Sequence, residues 1–305
     1  MKKSIVDRLG ARWGAERRIE FIDFKLSWEG TVNRAQLVEF FGISVQQASS
    51  DLAAYAERCP ANLVYDRSAK TYRAAPDFVS GHAHLGAQYY LDQLIAKKAR
   101  GDTVPSFIGW EPPSEVLSYP SRPVRTAVLR EVLAAIREGR EIEVTYQSMR
   151  RPDASVRWIA PHALANDGTR WHARAWCFER AEFRDFVLSR IDNVGASRSL
   201  TVDPLLDEEW HTSIDIVLRP REGLSKSQRG AVETEYGMKG GRLLLKSRRA
   251  LAYYALRQLH LEPPADANVA EQPIEAEITA DLAGLIEAGR KRPYSAHRNH
   301  EGERY

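Results

Sequence analysis

Short hydrogen-bonding side chains are concentrated at the start of one predicted helix, and their types suit contacts with the base edges of double-stranded DNA. After Ser44 the chain places four more of them: Gln46, Gln47, Ser49 and Ser50. A glutamine amide can pair with the adenine edge, and a serine hydroxyl can bond several bases. Ala48 and Leu52 give the opposite side of the helix an apolar stripe. The alternative is a solvated helix start with no ligand.

Basic residues precede and follow this helix. They are Arg34, Arg67, Lys70 and Arg73. Cationic side chains beside a reading helix contact phosphates, which set affinity without specifying sequence. These four residues and the five polar ones form the predicted DNA-binding set.

A second group of polar residues follows apolar residues along three predicted strands. On the predicted core face of the first strand, the apolar residues Ile142 and Val144 are followed by Tyr146 and Ser148. In the second strand Trp158 and Ala160 are followed by His162, and in the third Phe186 and Leu188 are followed by Arg190. Alternate residues of a strand share a face, so this pattern predicts a polar pocket at one mouth of a small barrel. Arg150, Arg157 and Arg174 would add positive charge, and arginine forks match phosphate oxygens. An anionic, nucleotide-like ligand is favoured, although any one of these residues alone would more often be structural.

The elements that must position the first group form a winged helix-turn-helix. Apolar spacing predicts helices over residues 15–28 and 33–41 and from residue 45 onward. Gly42 suits a left-handed helix end, and Ser44 with Gln47 forms a capping box. Residues 62–65 and 71–73 then predict a hairpin, the wing.

The rest of the chain predicts two further folded domains. A helix over residues 85–100 and a proline-rich stretch precede a helix that Gly139 closes. Strands follow at 141–147, 156–165, 170–178 and 183–191, and then strands at 214–218 and 242–246 alternate with helices at 226–236 and 249–260. The fold class is α+β multidomain. The predicted domains are a winged helix (1–80), a helical and proline-rich linker (81–123), a β-barrel (124–204), a C-terminal α+β domain (205–287) and a disordered tail (288–305).

Composition narrows the function classes. The 305 residues are 43% hydrophobic and 28% charged with a net charge of +3, as in an ordinary globular protein. We find no apolar segment of bilayer length and expect a cytoplasmic protein without a membrane partner. Cys59 and Cys177 are far apart, which argues against a disulfide framework and a zinc site. No catalytic motif is recognisable, so we expect no enzyme activity, cofactor or metal.

Two segments of the barrel carry a family resemblance. Trp171-His172-Ala173 corresponds to a Trp-Tyr-Leu signature, and residues 186–191 correspond to a Phe-x-Leu-x-Arg-Ile signature. The chain thereby resembles the WYL-domain transcription regulators over residues 17–285, and residues 18–23, 38–44 and 62–66 resemble the CapW and BrxR regulators of anti-phage defence operons in particular. His172 and Ala173 depart from the signature, so ligands of other WYL proteins are not assumed.

The resemblance implies a winged helix, an Sm-like WYL barrel and a C-terminal WCX domain that takes part in dimerisation. It adds Trp171 and His172 to the candidate ligand-binding residues. It also implies repression of a CBASS or BREX operon, relieved by a nucleotide or single-stranded nucleic-acid ligand in the WYL pocket. We therefore predict a homodimeric repressor that binds an inverted-repeat operator in double-stranded DNA. A transcriptional activator and an enzyme acting on nucleotides remain the alternatives.

Overall fold

The computed structural model describes residues 5–101, 105–117, 120, 122–261, 272–277 and 279–291. The chain divides into two compact units, Met1–Pro120 and Ser121–Tyr305. The α-helices of the described residues are α1 (Ile5–Glu29), α2 (Arg34–Phe41), α3 (Val45–Arg58), α4 (Ala87–Arg100), α5 (Thr126–Glu138), α6 (Glu208–His211), α7 (Lys226–Glu235), α8 (Arg249–Gln258) and α9 (Ala280–Lys291). None of them is both long and apolar enough to cross a bilayer.

The β-strands form three antiparallel sheets. They are β1 (Thr31–Val32), β2 (Leu63–Asp66), β3 (Thr71–Ala74), β4 (Arg140–Tyr146), β5 (Ser155–Asn166), β6 (Trp171–Cys177), β7 (Glu182–Val187), β8 (Ile191–Ser199), β9 (Ser213–Pro220), β10 (Leu243–Arg248) and β11 (Ile274–Ala276). The strand orders are β1-β3-β2, β7-β6-β5-β4-β8 and β10-β9-β11. Each sheet lies in one of the three predicted domains.

The helix-turn-helix forms where its sequence signals predict it. Asn33 and Gln36 make a capping box at the start of α2, which ends at Gly42 with a left-handed φ of 63°. Glycine tolerates this conformation because it has no Cβ. The Ser44 hydroxyl then caps α3 by accepting a hydrogen bond from the Gln47 backbone amide at 3.1 Å, whereas the Gln47 side chain donates to Asp51, so only the Ser44 half of the predicted capping box forms. The two helices are therefore joined by a turn of three residues, 42–44.

Aromatic packing holds α1 against the rest of the N-terminal unit. The ring of Phe21 lies 5.0–5.4 Å from those of Phe40, Phe41 and Phe107. Phe107 belongs to the segment predicted as a linker, and so does the buried Leu94 of α4. Part of this predicted linker thus packs in the core of the winged helix.

A buried polar network ties α1, α3 and the wing together. Asp23 of α1 is fully buried and accepts hydrogen bonds from the Tyr55 hydroxyl of α3 and from Ser80. Asn62, just before β2, donates to the Tyr55 hydroxyl at 3.1 Å and to the Val79 carbonyl at 2.7 Å. Burial and the neighbouring Asp23 raise the pKa of Tyr55. These bonds fix the wing relative to the reading helix.

The central sheet bends toward closure. The Tyr146 hydroxyl at the end of β4 accepts a hydrogen bond from the Val187 amide of β7 at 3.4 Å, although two strands separate β4 from β7 in the sheet. The core between the strands includes Ile142, Val144 and Phe186, and Val132 of α5 covers it. The predicted alternation of β4 is confirmed by the burial of Ile142, Val144 and Tyr146.

The predicted core face of β5 is wrong. Ile159 lies in the core, whereas Trp158 packs against the Arg198 guanidinium, which is 4.1 Å from its ring centroid. The pairing of β5 with β6 shifts between Pro161 and Ala163, so parity does not carry through His162. The strand predicted to reach Ile191 ends at Val187, and a 3₁₀ turn, Leu188–Arg190, follows it.

The C-terminal part pairs a sheet with helices, as predicted. Ile216 and Leu218 of β9 and Leu256 of α8 are buried in one cluster. Strand β11 and helix α9 were not predicted, and β8 was missed as well. Of the predicted tail, residues 288–291 belong to α9, and residues 292–305 lie outside the described residues.

Candidate nucleic-acid interface and ligand pocket

The first half of α3 presents polar side chains on one side and buries apolar ones on the other. Gln46, Gln47 and Ser50 are exposed, whereas Ala48 and Leu52 are fully buried. Ser49 is half-buried. The N-terminal residues of a reading helix are those that meet base edges in the major groove. The geometry therefore suits DNA readout by this half of the helix.

The serine hydroxyls of α3 are oriented by the helix itself. Ser49 Oγ donates to the Val45 carbonyl at 2.9 Å, and Ser50 Oγ donates to the Gln46 carbonyl at 3.1 Å. Each hydroxyl proton is thus used within the helix, and the oxygen lone pairs remain as acceptors. In this arrangement both serines can accept hydrogen bonds from base amino groups.

Gln47 is held by a buried ion pair. Its Nε2 donates to Asp51 Oδ1 at 3.0 Å, one helical turn along α3. Asp51 in turn pairs with Arg18 of α1, at 2.6 Å from Nε and 3.2 Å from Nη2. The side chain of Asp51 is only 7% exposed. A reading residue of α3 is thereby coupled to α1.

The wing carries its basic residues at the surface. Arg67 and Lys70 are exposed, and Lys70 has a positive φ of 51° in the turn. Asp66 organises that turn by accepting hydrogen bonds from Ala69 and Ser68, and Arg73 donates to it at 2.8 Å. These bonds, the Ala69 amide first, lower the pKa of Asp66. Arg34 is exposed at the start of α2.

Five of the nine candidate ligand-binding residues lie near the end of β4. They are Tyr146, Ser148, Arg150, Arg157 and Arg190. Arg190 lines an open pocket of about 280 Å³ together with Arg125, Gln147, Ser189, Ile191 and Asp192. We call this the β4-end pocket. Sequence reasoning missed Arg125 and Gln147, although Gln147 directly follows Tyr146.

Two other arginines of this group make contacts within the domain. Arg157 lies 5.6 Å from the Tyr146 ring centroid, and its Nε donates to Ser155 Oγ at 3.0 Å. It also pairs with Glu179 at 3.3 Å. Arg150 is exposed, and its amide donates to Ser148 Oγ at 3.2 Å.

Of the nine candidates, only Arg190 is among the residues that line this pocket. Arg174 is 1% exposed and lies on the side of β6 opposite the core residues Ala173 and Ala175. Its Nε and Nη2 donate to Asp207 at 2.7 and 2.8 Å. Nη2 also donates to Glu209 at 3.0 Å, and Nη1 donates to Asp185 at 3.3 Å. All three nitrogens of this guanidinium are therefore engaged by carboxylates of the same chain.

The pKa shifts of the charged groups in this cluster follow from these contacts. Burial alone would lower the pKa of Arg174, but its hydrogen bonds with Asp207 and the nearby carboxylates raise it. Burial would raise the pKa of Asp207, but hydrogen bonds from Arg174 and His162 lower it. His162 Nε2 lies 2.9 Å from Asp207 Oδ2, so this histidine belongs to the same cluster. Sequence spacing did not reveal Asp207 as the shared partner.

His172 and Trp171 have separate surroundings. His172 Nε2 lies 3.0 Å from Asp167 Oδ2, and its ring lies 5.5 Å from that of Tyr254 in α8. Trp171 is 53% exposed at the start of β6. The structure thus brings Arg190 to an open pocket and places Arg174, His162 and His172 in buried or partly buried contacts.

Three protein-family models match the chain in the order of the domains just described. The BrxR transcriptional regulator winged helix-turn-helix domain matches residues 14–96, and the WYL domain matches residues 127–196. The BrxR transcriptional regulator C-terminal dimerization domain matches residues 213–282.

Relatives named DNA-binding transcriptional repressor CapW are similar over most of their length. The Pseudomonas aeruginosa protein is 43% identical over 265 residues, covering 85% of this chain and 87% of the relative. The Escherichia coli (strain KTE188) protein is 43% identical over 258 residues, covering 83% and 85%. The Stenotrophomonas maltophilia protein is 42% identical over 264 residues, covering 86% and 88%. This chain belongs to the CapW family.

Membership in the CapW family confirms the resemblance and the order of winged helix, WYL domain and dimerization domain. The matched domains are those of regulators, so the prediction that the chain is not an enzyme is also confirmed.

Proposed function

We propose that this protein is a homodimeric transcriptional repressor that reads an inverted-repeat operator with α3 and holds the phosphates with α2 and the wing. The observation that carries the proposal is the exposed polar face of α3, with Gln46, Gln47 and Ser50 at its N-terminal half. The match to a dimerization domain supports two reading heads per molecule. The CapW relatives are named DNA-binding transcriptional repressors, which supports repression over activation.

The direct test is binding of the purified full-length protein to the DNA upstream of its own gene. We expect sequence-specific binding that survives a large excess of scrambled duplex, together with lower expression of a reporter under that promoter. Binding with no preference for this DNA would contradict the proposal. Reporter activity that rises when the protein is supplied would support the activator alternative.

The family resemblance extends the proposal to the operon that is controlled. We propose that it is an anti-phage defence operon of the CBASS or BREX type. The test is a reporter fused to the promoter of the adjacent defence genes, measured with the regulator gene intact and deleted. Unchanged expression on deletion would contradict this assignment.

We further propose that the β4-end pocket binds a nucleotide or a single-stranded nucleic acid and that binding relieves repression. Arg190 and Arg125 line the pocket, and Arg125 is paired there with the Asp192 carboxylate, so Arg190 is the cation that we assign to the ligand. Arginine forks bind phosphate oxygens in two-point contacts. Tyr146, Ser148, Arg150 and Arg157 surround the same end of β4, whereas the engaged guanidinium of Arg174 favours a structural role. Fluorescence anisotropy with labelled single-stranded oligonucleotides and nucleotides tests this directly, and no measurable binding of either would overturn it.

A further inference from the structure

The contact between Gln47 and Asp51 defines which end of the glutamine amide is available to meet DNA. Asp51 is paired with Arg18 through both carboxylate oxygens, at 2.6 and 3.2 Å. A carboxylate in such an ion pair only accepts hydrogen bonds. Gln47 must therefore turn its NH₂ group toward Asp51, which it does at 3.0 Å. The amide oxygen of Gln47 is left without that contact on an exposed side chain.

We infer that Arg18 and Asp51 are positioning residues that fix the amide of Gln47, so that its oxygen reads a base carrying an exocyclic amino group in the major groove. Those groups are N6 of adenine and N4 of cytosine. The inference rests on the proposed DNA-binding function and deepens it. It assigns specificity to a pair of residues that are themselves shielded from DNA, since Arg18 and Asp51 side chains are 14% and 7% exposed.

The inference predicts that Asp51→Asn reverses the base preference of Gln47, from a base with an amino group to a base with a keto oxygen. The oxygen of the introduced amide would accept from Arg18 Nε, because the charged donor makes the stronger bond. The NH₂ group of that amide would then occupy the position from which Asp51 Oδ1 now accepts the Gln47 bond, and the longer bond from Arg18 Nη2 at 3.2 Å would be lost. Gln47 would have to flip and present its own NH₂ to the groove. A donor there favours the keto oxygens of guanine and thymine, which stand where the amino groups of adenine and cytosine do.

The experiment is a single-base-pair scan of the operator with the full-length protein. Gln47→Ala identifies the position that Gln47 reads, because discrimination is lost there and retained elsewhere. At that position the wild type should prefer the amino base over its keto counterpart by about tenfold, equivalent to about 1.4 kcal/mol. Asp51→Asn should prefer the keto base by a similar factor. Glu57→Gln, an exposed residue near the end of α3, should behave as the wild type.

A rescue variant separates positioning from structural damage. A carboxylate at position 47 offers oxygen atoms on both sides, so Gln47→Glu combined with Asp51→Asn should restore the amino preference without any flip. Loss of affinity for every base pair alike in Asp51→Asn, or an unchanged preference, would overturn the inference.

A second measurement covers the case in which Asp51→Asn lowers the melting temperature too far for binding assays. The wild type is then tested on an operator whose target base lacks the amino group. A tenfold loss there that Gln47→Ala does not show supports the inference, and equal losses overturn it. Specific operator binding that does not depend on Gln47 would overturn this inference and leave the proposed function intact. If the wild type showed no specific binding, both the inference and the proposed function would be overturned.

Discussion

Two arginines of the central domain show how the surroundings of a residue decide its role. Arg174 is buried, and each of its nitrogens donates to a carboxylate. Arg190 lines an open pocket on the same domain. Both arginines belong to the ligand-binding set predicted from the sequence. The structure gives them opposite expected effects on substitution.

Arg190→Ala should leave folding and operator binding unchanged and abolish the response to the inducing signal. The substitution removes a two-point phosphate partner, whereas the reading head is untouched. A ligand shifts an equilibrium only by its differential affinity for the two states, so a variant that does not bind ligand remains a repressor. Thermal unfolding, operator affinity and reporter induction measure the three properties. Normal induction would place the signal elsewhere, and a large fall in melting temperature would make Arg190 structural.

Arg174→Ala should destabilise the protein by about 3–5 kcal/mol, because it leaves buried carboxylates without their cation. Asp207 would lose its two bonds of 2.7 and 2.8 Å, and Asp185 would lose its bond of 3.3 Å. Denaturant unfolding measures the change. The matched control is Arg137→Ala, whose side chain is 73% exposed and pairs with Glu138 at the surface, where such pairs contribute about 0–1 kcal/mol. Equal effects of the two substitutions would argue against the structural role of Arg174.

Substitutions in the reading head should separate specificity from affinity. Gln46→Ala should relax base preference at one operator position by about 1–3 kcal/mol, because it removes a base-edge contact. Arg34→Ala and Lys70→Ala should weaken binding to all sequences and reduce the salt-dependence slope by about one each. Anisotropy titrations over a range of salt concentrations and operator variants measure both. Full specificity in Gln46→Ala would mean that another face of α3 meets the bases.

At the scale of elements, short sequence motifs predicted those helices and turns whose conformation depends on neighbouring residues in the chain. Gly42 and Ser44 specify the turn before α3 through backbone conformation and capping, so the helix-turn-helix was predictable. The bulge near Pro161 in β5 depends on pairing with β6, which no strand pattern encodes by itself. The Arg174–Asp207 pair joins residues 33 positions apart and requires the tertiary fold. The candidate pocket was therefore predicted only in part.

Acid should destabilise the packing of the start of α6, because Asp207 joins this segment to β5 and β6. Asp207 accepts from Arg174, His162 and the Trp210 amide, and its pKa in the folded state lies below the ordinary value of about 3.9. A carboxyl with a lowered pKa stabilises the fold fully above about pH 5 and loses that contribution progressively as the pH falls from its unfolded-state pKa to its lower folded-state pKa.

Asp207→Asn removes this titration. The stability difference between wild type and Asp207→Asn should be about 3 kcal/mol at neutral pH and should shrink as the pH falls from about 5 to 3. Denaturant unfolding across this pH range measures it. Asp153→Asn, at an exposed position, is the control and should give no such trend. A difference that stays constant with pH would contradict the assignment of Asp207.

At the scale of the whole molecule, the matches to a winged helix-turn-helix domain and to a C-terminal dimerization domain predict a symmetric DNA target. A two-fold dimer presents the same surface twice, so its operator should be an inverted repeat. Two copies of α3 can enter the major groove on the same side of the duplex only if the half-site centres are separated by about one helical turn or a multiple of it.

Altering the operator spacing tests this arrangement with the full-length protein. Inserting about 5 base pairs between the half-sites rotates one of them to the opposite side of the duplex, and binding should fall to the level of a single half-site. Inserting about 10 base pairs returns both half-sites to the same side of the duplex. This operator should bind more tightly than the one with the shorter insertion, although the added length strains the dimer. Light scattering of the complexes should give two chains per intact operator. A monomer bound to one half-site, or affinity that declines steadily with length without dependence on helical phase, would contradict a rigid two-headed dimer.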